Sequence, residues 1–163
     1  MPAAKKTAAP RRAPPPAEVG GDPFDFQRDS LGYALRLAQV RAYGLFYEML
    51  AEHGLTPARL TALSMIAMAP DLTQSALAQQ LDISGPSVLK IVDALAAAGF
   101  IERTDCADDR RRYLLALTAE GRRKLAAVRE ATAAYEARLA EGLDPDERRQ
   151  LMDLLARVAQ GKG

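Results

Sequence analysis

A mainly helical fold carrying one small β-hairpin follows from three observations. Alanine and leucine dominate a 163-residue chain that is 48% hydrophobic but only 6% aromatic, a composition that favours helices. Apolar residues recur in steps of three and four through most of the chain. One stretch, between Phe100 and Leu117, switches to alternation around a charged loop, as two strands of a hairpin do.

Residues 1–23 are rich in Pro and Ala and carry Lys5, Lys6, Arg11 and Arg12. Such a segment cannot bury enough apolar surface to offset its ordering entropy, so a disordered basic tail is expected. It is either a solubilising tail or an arm adding phosphate contacts. A single domain is expected over 24–160. Helical character begins near Asp25, where Leu31, Leu35, Ala38, Ala42, Leu45 and Met49 form a stripe of alternating four- and three-residue steps. Tyr33, Leu37, Val40, Tyr43 and Tyr47 form a second apolar face. A helix apolar on two sides must be covered on two sides, and a second subunit is the expected cover. Gly54 ends this helix.

Thr56-Pro57 opens the next helix as N-cap and first helical residue, with Leu60, Leu63, Ile66 and Ala67 as its core face. Pro70 ends it. Thr73 caps a short helix, Gln74 to Gln80, with Leu77 and Leu81 inward. After a tight turn at Asp82-Ile83, Ser84 caps another, with Val88, Ile91, Val92 and Leu95 on one side and Gly99 closing it. Phe100 to Thr104 is the first strand, Asp105 to Arg111 the loop, and Tyr113 to Leu117 the second strand. Thr118 caps a long helix with Leu125, Val128, Thr132, Tyr135 and Leu139 on one stripe. Gly142 ends it, and Asp144-Pro145 opens a last helix expected to turn Leu151, Leu154, Leu155 and Val158 inward. The architecture is thus a winged helix-turn-helix over 56–118, between dimerisation helices at 25–53 and 119–160.

Composition narrows the function. Net charge is only +1, so DNA binding would rest on local charge. One Cys and one His make an intrachain disulfide impossible and a structural zinc site unexpected, and no cofactor is implied. No apolar run approaches the ~20 residues of a membrane span, and the basic start lacks the apolar core of a secretory signal, so a cytoplasmic location is expected. The sole His has no nucleophile partner motif and no phosphate loop appears, which speaks against an enzyme.

A short helix, a tight turn and a second helix let the second enter the major groove by its N-terminal end. Ser84, Gly85, Pro86 and Ser87 are small enough there for close approach, and Lys90 lies off the apolar stripe. Gln74 and Ser75 begin the preceding helix, whose amide hydrogens suit a phosphate. The hairpin tip carries Asp108, Asp109, Arg110, Arg111 and Arg112. A solvated turn is one reading of this charge run. The other is that Asp109 orients Arg111 into a narrow minor groove. A helix-turn-helix used only for protein contacts would not need an arginine-bearing wing.

From about Leu31 to Val158 the chain resembles the multiple antibiotic resistance regulator (MarR) family of transcription factors. The runs LTQSALAQQLDIS, VLKIVDALAAAGFIER and DDRRRYLLALTAEGR carry the resemblance. It implies a homodimer with interlocked first and last helices, a pseudopalindromic double-stranded operator, repression, and release by a small ligand or an oxidant. It matches Asp109 and Arg111 to the wing aspartate and minor-groove arginine, and Ser84 to Lys90 to the start of the reading helix. Gly85, Pro86 and Leu89 depart from the polar residues common there, leaving fewer direct base contacts.

The resemblance also implies an effector cavity between the dimerisation helices and the DNA-binding lobe. Nearby polar candidates are Tyr33, Arg36, Arg41, Tyr43, His53 and Ser64. An Arg beside Tyr rings under an apolar roof suits an aromatic carboxylate or its thioester. LGYALRLAQVRAYGLF is similar to members tied to aromatic-compound catabolism. The same residues have blander roles available: an ion pair for Arg36, core or interface packing for Tyr33 and Tyr43, a helix-dipole complement for His53. Cys106, in the wing, is the alternative oxidant sensor. Arg103 and Arg110 would favour its thiolate, whereas Asp105, Asp108 and Asp109 oppose it.

Overall fold

The computed structural model describes residues 24–105 and 113–161. Its elements run α1 (Phe26–Asp29), α2 (Leu31–Leu50), a 3-10 turn (Ala51–His53), α3 (Pro57–Met68), α4 (Gln74–Gln80), α5 (Gly85–Ala97), β1 (Ile101–Asp105), β2 (Tyr113–Leu117), α6 (Ala119–Leu139) and α7 (Pro145–Gln160). The fold is therefore mainly helical with one antiparallel hairpin.

Local chemistry sets most boundaries. Thr56, Thr73 and Thr118 each accept a backbone N–H of the first turn, from Arg59, Ala76 and Gly121 respectively. Asp144 and Glu147 form a reciprocal capping box at α7. Gly54 and Gly99 take φ of +67° and +72°, ending their helices in the left-handed region.

The expected first helix is interrupted. Asp25 caps a single turn, and Ser30, in extended conformation, caps α2 by accepting from the Tyr33 N–H. Two oxygen-bearing caps five residues apart offer the amides two competing starts, and both are used. The last turn of the same helix tightens to 3-10 before Gly54. The first strand begins one residue later than expected, at Ile101.

A single apolar cluster holds α2–α6 and the hairpin together. Leu63, Leu77, Val92 and Leu115 have no exposed surface, and Val88, Leu95 and Val128 almost none. At roughly 1.5–3 kcal/mol for each fully buried side chain of this size, the cluster is the main stabilising term. Two details differ from the periodicity. Ala62, not Ala67, completes the core face of α3. On α2 the buried residues are Phe46 and Leu50, which belong to neither of the two expected stripes. They lie between those stripes because α6 crosses α2 there, and the ring of Phe46 meets that of Tyr135 edge-on at 5.7 Å.

The last helix corrects another expectation. Leu151, Leu154, Leu155 and Val158 do not turn inward: each is 36–48% exposed, and α7 buries no residue. α7 leaves the body at the Leu143–Asp144 turn, so no element among the described residues covers its apolar side. Leu37, Val40, Tyr43 and Tyr47 of α2 are also exposed, as a face awaiting a second cover would be.

The hairpin pairs Ile101 with Leu117, Arg103 with Leu115 and Asp105 with Tyr113. Its inner edge is tied down. The Leu115 N–H donates to the Leu72 carbonyl at 2.9 Å, and Thr73 bridges Leu114. At the base, the Thr118 hydroxyl donates to the Gly99 carbonyl at 2.6 Å. There α6 presses on the chain before β1 so closely that a Cβ on Gly121 would sit 1.9 Å from the Phe100 carbonyl oxygen. Gly121→Ala should therefore cost at least the upper part of the roughly 1–3 kcal/mol seen for overpacked sites. Gly99→Ala, strained only in φ, should cost about 1–2 kcal/mol. Urea unfolding of both measures this; a Gly121→Ala loss no larger than that of Gly99→Ala would show that α6 does not need the close approach.

Candidate nucleic-acid and effector sites

Helices α4 and α5 meet at a turn in which Asp82 takes φ of +50°, a conformation Asp tolerates better than most residues. The Ile83 N–H donates back to the Ala78 carbonyl at 3.1 Å, which fixes the turn. Val88, Val92 and Leu95 bury one side of α5. Ser84, Gly85, Pro86, Ser87, Leu89 and Lys90 all remain exposed on the other. The predicted reading residues are thus brought together on one surface at the start of one helix.

Ser84 occupies the N-cap position, but its hydroxyl does not cap. It pairs with the Ser87 hydroxyl at 2.9 Å instead. Pro86 brings no N–H, and the first turn contains no acidic side chain. This helix end is consequently positive and unobstructed, with two hydroxyls at its rim. At α4, Gln74 is half-buried and Ser75 exposed, its hydroxyl 3.1 Å from that of Thr73. The hairpin flanks α5 on the side of β1. Asp109, Arg110, Arg111 and Cys106 lie outside the described residues.

The effector candidates are not all brought together. Two adjacent open clefts, of about 310 and 400 Å³, share Pro57 and Thr61. The first is lined also by Phe46, Ser64, Thr132, Tyr135 and Glu136; the second also by Tyr43, Leu81, Ile83 and Ser87. Of the six candidates, Ser64 and Tyr43 line these clefts. Ser64 spends its hydroxyl proton on the Leu60 carbonyl at 2.9 Å, leaving lone pairs free to accept. Tyr33 packs on Phe26 at 5.5 Å, and Arg41 pairs with Glu141 at 2.8 Å. His53 lies 3.8 Å from Glu52, and Arg36 lines neither cleft.

Sequence reading missed Thr61, Thr132, Tyr135 and Glu136 as lining. A signal existed for Tyr135, a phenol on the apolar stripe of α6. Burial raises its pKa above the ordinary 10.0, helped by the negative charge of Glu136 and by Tyr43. Ser87 lines the second cleft and also sits on the exposed start of α5, so a molecule filling that cleft touches α5 directly.

A helix-turn-helix with a hairpin at its side defines a DNA-binding protein of the winged-helix class. The MarR family model matches residues 53–112, which take in α3, α4, α5 and β1. A transcriptional regulatory protein for the hcr operon of Thauera aromatica is 36% identical over 129 residues, 78% of each chain. The transcriptional repressor CouR, solved bound to a 23-mer DNA duplex, superposes with a TM-score of 0.77 at 36% identity, over 82% of this chain and 95% of that one. The PcaV regulator of Streptomyces coelicolor, solved with its natural ligand, gives 0.78 at 25% identity over 85% and 97%. The chain belongs to the MarR family: it is a DNA-binding transcriptional regulator, a class that is not enzymatic. Among the described residues, no helix is long and apolar enough to cross a membrane.

Tyr135 supplies a test of the cleft. A raised phenol pKa means that stability is complete below pH 10 and falls as pH rises through the higher folded value. Tyr135→Phe should remove a late phase from the alkaline absorbance titration and flatten that fall. Amplitude lost from the main phase instead of a late one would show that Tyr135 ionises as a solvated phenol.

Proposed function

We propose that the chain is an effector-released repressor that binds a pseudopalindromic operator as a homodimer. Its reading residues are Ser84, Gly85, Pro86, Ser87 and Lys90, with Gln74 and Ser75 on the phosphates and Asp109, Arg110 and Arg111 in the wing. The observation that carries this reading is the start of α5: positive, uncapped by any carboxylate, and exposed along its whole polar side. The DNA-bound repressor CouR, at 36% identity, supports both the DNA and the sign of regulation.

Dimerisation through 25–53 and 119–160 is supported by the two uncovered apolar faces. Leu37, Val40, Tyr43 and Tyr47 on α2 and Leu151, Leu154, Leu155 and Val158 on α7 are left exposed by the described residues. Two copies facing each other bury both sets at once.

The effector reading is a small aromatic acid or its thioester, held in the joined clefts beside Tyr43, Phe46, Ser64 and Tyr135. Their chemistry favours the thioester. The lining is rings and hydroxyls, its one charged group is Glu136, and no Arg or Lys lines either cleft among the described residues. A free carboxylate would be desolvated beside another carboxylate without a cation, which is costly. An acyl thioester presents only a neutral carbonyl there.

Two measurements test this. On a duplex selected by the wild-type chain from a random library, Lys90→Ala and Arg111→Ala should each lose affinity, Arg111→Ala by roughly 1–3 kcal/mol. Full affinity in both variants would remove α5 and the wing as the DNA surface. In a thermal-shift screen, benzoyl and phenolic thioesters should stabilise the protein and weaken the selected duplex by about 5- to 150-fold. Stabilisation by the free acids alone would instead restore the carboxylate, and an arginine, to the site.

A further inference from the structure

Arg103 is the least exposed ion-paired arginine among the described residues. Its side chain is 29% exposed, whereas the others are at least half exposed. It stands on β1, opposite the fully buried Leu115, on the same strand face as buried Ile101. From the rim of the core its guanidinium crosses to the carboxylate of Asp93 on α5.

The position of Asp93 makes this pair unusual. Helical spacing places Pro86, Lys90, Asp93 and Ala97 on one face, opposite Leu95. Asp93 is exposed and lies one turn beyond Lys90 on the surface assigned to DNA. An unpaired carboxylate there would repel phosphates. The hairpin, meanwhile, is held at its inner edge through Leu115 and Thr73 and at its base through Thr118. All of those anchors are made by β2 or at the base, and β1, which leads into the wing tip, feels them only through its pairing with β2. Among the described residues, the Arg103–Asp93 pair is the polar side-chain link from β1 to α5.

We propose that Arg103 is a positioning residue for operator recognition. Its ion pair with Asp93 sets the angle between wing and reading helix and cancels an acidic charge on the reading face. The inference rests on α5 and the wing being the DNA surface. Two separate consequences follow. Losing the cancelled charge alters affinity for any duplex, because phosphates are sequence-independent. Losing the angle alters only the match to the correct sequence, because wing and helix must reach their two grooves together.

The experiment measures full-chain Arg103→Gln, Asp93→Asn, the double variant and Arg103→Lys. Each is titrated against the selected duplex and a scrambled duplex of equal length. Arg103→Gln should lose about tenfold or more on the selected duplex, with a falling selected-to-scrambled ratio. Asp93→Asn should bind the scrambled duplex more tightly, yet its ratio should fall as well. The double variant should regain general affinity and not the ratio. Arg103→Lys, which keeps the charge but not the planar two-pronged donor, should recover part of the ratio. An unchanged ratio in Arg103→Gln and Asp93→Asn overturns the proposal and leaves a purely electrostatic role. If Arg103→Gln melts below the assay temperature, Asp93→Asn, an exposed substitution, decides alone. Lys90→Ala separates the two possible failures. Normal binding by Lys90→Ala would mean that α5 does not read DNA, whereas weakened binding with unchanged ratios for Arg103 and Asp93 would refute only the brace.

Discussion

Burial of one side of α5 is the constraint on which the rest of the molecule depends. Val88, Val92 and Leu95 share one cluster with Leu63 and Ile66 of α3, Leu77 of α4, and Ile101 and Leu115 of the hairpin. An apolar stripe that must meet three partners has essentially one orientation. That orientation turns Ser84, Gly85, Ser87 and Lys90 to solvent together. The exposed start of the helix is therefore a by-product of packing on its other side, not of any interaction among the polar residues themselves.

The joint between lobes follows from the same economy. Thr118 caps α6 with its hydroxyl oxygen while its proton goes to Gly99, so one side chain ends the hairpin, starts a helix and closes the preceding one. Gly121 lets α6 approach Phe100 within a distance no side chain permits. The helix that crosses Phe46 through Tyr135 is thus seated directly on the base of the wing. A cleft between α2, α3 and α6 and the helix α5 on the same core are mechanically adjacent. Ser87 of α5 lines the adjoining cleft, which shares Pro57 and Thr61 with the first.

Charge is distributed with similar restraint. A chain of net charge +1 has no general attraction for DNA to exploit, and seven of its twelve described arginines are paired with carboxylates. Discrimination must then come from where a few charges sit. On the surface proposed to read DNA, Gly85, Pro86 and Leu89 offer few donors to base edges. Under that proposal, weight falls on phosphate contacts, on duplex shape and on the relative placement of helix and wing.

Much of this was legible in the residues because it is local. Threonine before Pro57, Gln74 and Ala119, aspartate before Pro145, and glycine at 54 and 99 state where helices begin and end through bonds made within one turn. The stripe on α5 and the alternation of β2 are equally self-contained. What the tertiary structure decided is whatever depends on distant partners. Periodicity marks a face as apolar but does not say which neighbour covers it. So Phe46 proved buried between two expected stripes, the last helix proved bare, and Arg41 proved paired with a residue 100 positions away. The cleft lining assembled from α2, α3 and α6 for the same reason. Sequence by itself determined the elements and the family. Only the crossing of α6 over α2, and the reach of Arg103 to Asp93, decided which side chains meet, because those contacts are set by packing between segments and not by the order of residues within them.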